Sequence, residues 1–442
     1  MKKQFGLLML LILFLSAVSC TPQGYQASED LMIPTDIEEI VDDASLGEGS
    51  QEKDKVKLQV WVYDSFASDT NSPIYKLTDK FMQEYPEITI EIIPTQYGST
   101  PYRDKYITAA SAGAGPDVLM MDIIWTPQMA SAELALPISQ YAGDSTELYY
   151  PGPLDTCYYE GVLYGLPFYT NSLALFYNKT AFVNAGIPVP DASWSWNDFR
   201  EAALTLSKDG MYGFGLMAGW GGTFEWFPWL WQNGGELLDE DNSKALFVNT
   251  EGMEAARVFL NLITIDGVVP EAAKSWKSWD ELAVAFSTGV IAMYEVGDWG
   301  LQVVDEKQPA FEWDVTPLPA NKNRATVVGG ANWIINSNTA YPAESYLWIE
   351  YVTGEEVFNL LDGYKRLAAR KGGTQQIVVN DPRMQVFIDS LEYARARPSI
   401  PNWTAIDYDC LQPAFIEVIL EGANMEEKLF EAEKCANEVL AR

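Results

Sequence analysis

Residues 57–121 alternate strand-like and helix-like stretches, and this alternation limits what the chain can fold into. Lys57 to Tyr63 reads as a strand. Ser72 and Pro73 then open a helix, a capping residue followed by proline in the first turn. Ile74, Leu77 and Phe81 follow at helical spacing. Pro86 ends the helix, and Ile88 to Ile93 form a second strand. Residues 101–112 suit a helix stopped by Gly113 and Gly115. Asp117 leads into a buried strand from Val118 to Met121. A β-α-β-α-β order over so short a span indicates a doubly wound α/β lobe. Such sheets bind ligands beyond the carboxyl ends of their strands. The residues there are Asp64 and Ser65 after the first strand, and Asp122 to Trp125 after the third.

A chain of 442 residues is too long for one small core and implies two or more lobes. Its 62 acidic and 29 basic side chains, a formal charge of −33, argue against nucleic acid, because phosphate neutralisation needs clustered Lys and Arg. The absence of histidine excludes every Ser-His, Cys-His and His-metal site. Gly219-Trp220-Gly221-Gly222 lacks the spacing of a dinucleotide loop, and no Walker-type run is present, so an ATPase would be another chain. Asp239-Glu240-Asp241-Asn242 has no Gly-centred calcium loop and reads as a solvated turn. No cofactor and no metal are expected.

The N-terminus reads as an address. Lys2 and Lys3 precede an apolar run from Phe5 to Leu15, then small residues up to Cys20. This is the layout of a secretory signal, residues 1–19. Even counted to Val18, the run is short of the roughly 20 residues that span a bilayer. Its end resembles a bacterial lipoprotein box, with lipidation at Cys20; Ala17 stands where such boxes usually have Leu. An ordinary cleaved signal with an incidental cysteine is the plainer alternative. Several acyl chains suffice for anchoring at about 0.8 kcal/mol per buried methylene. Residues 20–55 read as an acidic tether from Cys20. Ten acidic and two basic side chains between residues 21 and 55 cannot build a core.

Cys157, Cys410 and Cys435 remain, and export permits disulfides. Residues 406–421 suit one helix. Met425 to Leu440 suits another, with Leu429, Phe430, Ala436, Val439 and Leu440 inward. Folding back about Ala423 puts Cys410 and Cys435 at matching heights. Packed axes lie about 8–10 Å apart, while a disulfide needs Cα atoms within about 7 Å. A bridge therefore requires a close approach of the helices; two buried thiols are the other outcome.

Several motifs in order carry a family likeness. Trp61 to Ser65, Phe81-Met82-Gln83-Glu84-Tyr85-Pro86 and Ala114-Gly115-Pro116-Asp117-Val118 resemble family 1 extracellular solute-binding proteins. These are sugar-type binding subunits of ABC importers, related to the maltose-binding protein. The resemblance continues through Tyr164-Gly165-Leu166-Pro167, Leu175-Phe176-Tyr177-Asn178-Lys179, Phe286-Ser287-Thr288-Gly289, Gly297-Asp298-Trp299-Gly300, Gly329-Gly330, Arg397-Pro398 and Pro401-Asn402-Trp403. It implies an α/β fold of two lobes, the type II periplasmic-binding-protein-like fold, with three interlobe crossings and a ligand cleft. The crossings are expected near Tyr169 to Leu173, Thr316 to Pro319 and Leu361 to Leu367. The N-lobe is then 56–169 and 317–362, and the C-lobe 173–314 and 368–442.

Aromatic rings cover the flat C–H faces of sugars, while carboxylates and amides take the hydroxyls. Trp220 to Trp231 holds six aromatic residues in twelve. Trp220, Glu225 and Trp226 make one ring-plus-carboxylate cluster; Asp298 with Trp299, and Asp122 with Trp125, make two more. Trp229 and Trp231 read as core, and Trp194 and Trp196 as packing at a helix start. The resemblance places Trp299 where related binders stack a ring on the ligand, and Tyr169 and Asn171 at a crossing that faces the cleft. Asn332, after a Gly329-Gly330 turn, and Arg370 are either ligand contacts or structural. Trp403 either closes the cleft floor or packs the last helices.

The leading expectation is an extracytoplasmic, lipid-anchored monomer that captures a carbohydrate and delivers it to ABC transporter permease subunits. The runner-up binds a quaternary ammonium compound or polyamine through cation–π contact. A secreted glycosidase using Glu225 and Asp298 is a third reading. A surface adhesin or signalling receptor is the fourth.

Overall fold

The computed structural model describes residues 55–96 and 100–442. The signal segment, Cys20 and the acidic stretch to residue 54 lie outside the described residues. Strands β1 (Val56–Tyr63), β2 (Ile88–Thr95) and β3 (Val118–Asp122) form the expected parallel unit, with Val56 opposite Ile88 and Val60 opposite Val118. The helix Pro73–Glu84 joins the first two. Ser72 is its N-cap, and it buries Ile74, Leu77 and Phe81. All five residues of β3 are buried, as a parallel strand covered on both faces requires.

The later strands are β4 (Tyr158–Tyr159), β5 (Val162–Leu163), β6 (Gly165–Asn178), β7 (Met293–Gly297), β8 (Trp313–Thr316), β9 (Thr326–Ile335), β10 (Leu367–Ala368) and β11 (Ala394–Ala396). Among the described residues, nine of the strands form one connected sheet, with a spine β10-β6-β9-β3-β1-β2. Strand β6 organises it. Gly165 to Ser172 pair with β9, and Leu173 to Asn178 pair with β7 and β8. One long strand thus serves two groups of partners and changes between them at Ser172 and Leu173. Thirteen of its fourteen residues are buried; Tyr169 is partly exposed.

Gly329 and Gly330, expected to make a turn, run through β9 instead. The reason is a close approach of two backbones. Gly330 has φ +142, and a Cβ there would meet the Tyr169 carbonyl oxygen at 2.3 Å. The β6–β9 register shifts between Pro167 and Tyr169 at this place. Glycine is what lets β9 pass so near.

At the C-terminus, a helical stretch from Trp403 to Glu421 includes two π segments, Ile406–Leu411 and Glu417–Glu421. Gly422 ends it in the left-handed conformation, φ 69, as a C-terminal glycine does. The helix Met425–Leu440 folds back, started by the Asn424 side chain accepting from the Glu427 N–H. Its buried face is Leu429, Ala432, Ala436 and Val439. Phe430, expected inward, is 58% exposed, because it lies about 100° around the helix from Leu429. The two small alanines permit a close approach, and Cys410 and Cys435 are joined, with Cα atoms 5.7 Å apart. Their sequence separation is 25. Closing a loop of that length stabilises by about 3 kcal/mol. Urea unfolding of Cys435→Ser is therefore expected to show a loss near that size. A variant as stable as the parent would mean the crosslink adds nothing.

Candidate ligand-binding site

The chemistry concentrates where β6 changes partners. Leu173 there lies opposite Gly297, the last residue of β7. The chain then passes through Asp298 into the helix Trp299–Lys307. The indole of Trp299 folds back over the strand end. A Cβ on Gly297 would lie 1.8 Å from a carbon of that ring, so only glycine admits it. Asp298 is fully buried, and its Oδ2 accepts from the Leu367 N–H at 3.1 Å. Its Oδ1 has no hydrogen-bond partner, and Arg366 Nη1 stands 3.9 Å away. Arg366 Nη1 and Trp299 Nε1 are also buried without partners. Buried polar atoms are normally satisfied, so this group of one acceptor and two donors is set up for hydroxyls, which both donate and accept.

Burial pushes the Asp298 carboxyl up to about 6; the Arg366 charge and the Leu367 and Trp299 N–H groups pull against it. Tyr169 is partly exposed, and desolvation raises its hydroxyl far above the ordinary phenol value. The charges it feels are Arg366, Asp122 and Asp298.

A second polar group lies at the end of β3. Asp122 Oδ1 accepts from the Ile124 N–H at 3.1 Å and from Arg397 Nη2 at 3.1 Å. Arg397 is nearly buried and lies over the Phe224 ring, 5.0 Å from its centre. Asp407 accepts from Thr223 Oγ1 at 2.9 Å, and burial pushes it up to about 6. The Trp299 ring meets Trp279 edge to face at 5.4 Å, and Trp279 meets Phe224 in the same way at 6.4 Å. All three rings are partly exposed.

Of the residues singled out from sequence, Asp122, Tyr169, Asp298 and Trp299 come together here. Asp64 and Ser65 are exposed in the short turn after β1, where the Ser65 N–H donates to Asp64 Oδ1 at 3.0 Å. Trp220 is partly exposed, at the end of a turn preceding the helix Thr223–Gln232. Asn171 is buried, its Oδ1 lying against Gly329.

Glu225, Trp226 and Trp125 lie in the core, contrary to expectation, and the alternatives left open for Asn332, Arg370 and Trp403 fall on structural contacts. Glu225 is 1% exposed and accepts from the Met217 N–H at 3.0 Å; burial and the nearby Glu295 raise its carboxyl strongly. Trp226 is packed among Phe227 and Phe415. Successive helical residues point about 100° apart, so a helix that shows Phe224 to solvent turns the next two into the core. Trp125 stacks on Tyr102 in the core, with ring centres 6.4 Å apart. Asn332 is fully buried and donates to Thr126 Oγ1 and Thr156 Oγ1, both at 3.0 Å, so it ties loops together. Arg370 bridges to Tyr149, whose hydroxyl it influences, and Arg366 instead faces Asp298. Trp403 packs against Phe227 beneath the last helices.

Sequence reasoning passed over Arg366, Arg397, Trp279, Phe224 and Asp407 as site residues. Phe224 had a signal, since it lies in the aromatic stretch. Arg397 had one in its Arg-Pro motif. Trp279 is the first helical residue inside the capping box of Ser278 and Glu281, which reads only as a helix start. Bringing Arg366 to face Asp298 needs the pairing of Leu367 with Thr170, which no local pattern reveals.

A family model described as bacterial extracellular solute-binding protein matches residues 67–357. The multiple sugar-binding protein of Streptococcus mutans is 23% identical over 323 residues, covering 69% of this chain and 73% of that protein. The galactooligosaccharide-binding protein of Bacillus subtilis is 23% identical over 325 residues, 67% of this chain and 71% of that one. Among solved structures, an ABC transporter solute-binding protein from Thermotoga lettingae bound with α-D-tagatose is 25% identical. It aligns with a TM-score of 0.78 over 87% of this chain and all of its own. The two-lobed α/β fold is common to these binding proteins and this chain.

Proposed function

Because the chain belongs to the bacterial extracellular solute-binding protein family, a family of substrate-binding transport proteins, we propose that it captures a carbohydrate between its lobes for an ABC importer. The observation that carries this reading is the fully buried Asp298, with an unpaired oxygen beside Arg366 and next to the partly exposed Trp299. The ring takes a sugar face; the carboxylate and guanidinium take hydroxyls. The relatives named for sugars support the same ligand class.

The lobes we assign are 56–169 with 317–362, and 173–314 with 368–442. The change of partners within β6 supports the first crossing, and the return from β8 to β9 supports the second. Closure of the lobes would trap the ligand and form the surface that permease subunits recognise. We assign Cys20 as the lipidated residue and residues 20–55 as its tether, on an extracytoplasmic monomer. No helix among the described residues is long and apolar enough to cross a membrane. A cationic ligand gains little here, because Asp298 and Asp122 each already face a guanidinium, Arg366 and Arg397. A glycosidase pair of Glu225 and Asp298 is disfavoured because Glu225 is sealed against the Met217 N–H.

The test is intrinsic tryptophan fluorescence of residues 21–442 against mono- and oligosaccharides, betaine, choline and polyamines. A saturable change with one sugar class is expected. Thermal or chemical stabilisation of about 2.7 kcal/mol at a hundred times the dissociation constant should accompany it. A response confined to betaine, choline or polyamines would overturn the carbohydrate reading.

Affinity and stability are expected to move in opposite directions with pH. Burial raises Asp298 and Asp407 to about 6 and Glu295 to about 8. The native state thus holds protons that the unfolded chain has released, and stability from these groups falls as pH rises from about 4 to 8. Sugar hydroxyls need the ionised Asp298, so affinity weakens by about tenfold from pH 7 to pH 5. Parallel denaturation and titration series at pH 5, 6 and 7 check both signs. Affinity that is flat over this range would remove Asp298 from the contact.

A further inference from the structure

The site has two polar ends. Asp298 with Arg366 is one; Asp122 with Arg397 is the other, 3.1 Å apart, and Arg397 Nε is buried without a hydrogen-bond partner. Tyr169 lies within the field of Arg366, Asp122 and Asp298, so charges of both ends reach it. Rings connect them. Trp299 touches Trp279 at 5.4 Å, Trp279 touches Phe224 at 6.4 Å, and the Arg397 guanidinium caps Phe224 at 5.0 Å.

Resting on the carbohydrate reading above, we infer that these two ends form one continuous site for a saccharide of at least two units, with Trp279 and Arg397 as the second subsite. A lone pyranose presents flat faces and one fringe of hydroxyls. One ring and one carboxylate–guanidinium pair, Trp299 with Asp298 and Arg366, already engage it. A second partly exposed ring, Trp279, and a second pair with an unpaired nitrogen, Arg397 Nε, serve a second sugar unit. Local charge fixes the ligand's character further. Each guanidinium already faces a carboxylate, so the cleft wall is locally balanced and suits a neutral chain of hydroxyls rather than an anion. Asp407, held by Thr223, adds a further carboxylate near Arg397 and so disfavours an anion there still more.

The experiment is calorimetric titration of residues 21–442 with glucose, galactose, mannose and xylose beside their di- and trisaccharides. The parent, Trp279→Ala and Arg397→Lys are compared, with circular dichroism and melting as checks on folding. At least one oligomer is expected to bind about tenfold more tightly than its monosaccharide. Trp279→Ala should weaken that oligomer about tenfold more than the monosaccharide, whose own smaller loss reflects the contact of Trp279 with Trp299. Arg397→Lys keeps the charge and loses the planar fork, and should show the same split. Because Trp279 is partly exposed, its removal tests the subsite even if the Arg397 variant fails to fold. A monosaccharide bound as tightly as its oligomers overturns the inference, as does equal weakening of both by Trp279→Ala. No binding of any saccharide overturns the carbohydrate reading itself, and this inference with it.

Discussion

Trp299→Ala is expected to weaken saccharide binding by at least about a hundredfold while the protein remains folded. The ring is partly exposed, so little core is lost, and the helix that follows keeps its own packing through Leu301 and Val304. Asp298→Asn should lose binding to a similar degree by a different route. The amide oxygen can still accept from the Leu367 N–H, but the second oxygen becomes a donor facing Arg366. Removing a charge that burial already disfavours should leave stability within about 1 kcal/mol of the parent at pH 7. The variant should also lose the pH dependence of any residual binding between pH 5 and 7. Gly297→Ala gives an independent check, because the added methyl displaces the Trp299 ring without removing it. Fluorescence titration with melting curves on the three variants decides the matter. If Gly297→Ala and Trp299→Ala both bind as the parent does, the indole is not a ligand platform.

Gly330→Ala should give the largest loss of stability among substitutions near the site, on the order of 3 kcal/mol. Two effects add. The φ of +142 is closed to L residues, and the new Cβ would meet the Tyr169 carbonyl oxygen at 2.3 Å, where backbone stands on both sides. Gly329→Ala is the matched control. Its Cβ would meet the Asn171 amide at 2.4 Å, and a side-chain end can swing aside where a backbone cannot. Urea unfolding should therefore rank Gly330→Ala well below Gly329→Ala. Equal stability for the two would mean that β9 shifts to relieve the contact. Tyr169 sits on the strand that Gly330 lets approach, so Gly330→Ala should also weaken ligand binding in whatever fraction stays folded.

Much of the site was legible because its markers are local. Alternation of strand and helix placed Asp122 at the end of β3, while Asp298 and Trp299, directly after β7, stood out as a neighbouring carboxylate and ring within a motif of the family likeness. The aromatic stretch from Trp220 was legible as a stretch but not as a face. Which of Phe224, Glu225 and Trp226 meets solvent depends on how the helix Thr223–Gln232 is rotated against Phe259 and Phe415, and those partners come from far along the chain.

The sequence alone determined the β-α-β-α-β unit, the helix start at Ser72 and the stop at Gly422. Each depends on periodicity or capping within a few residues. Tertiary structure decided what depends on the meeting of distant segments. The register of β10 on β6 brought Arg366, the residue before β10, to face Asp298. The nearness of β6 and β9 turned an expected Gly-Gly turn into a strand interior. The separation of the last two helices decided whether Cys410 and Cys435 could join. Rotation, register and spacing between elements are set by packing over hundreds of residues, and no short window of sequence contains them.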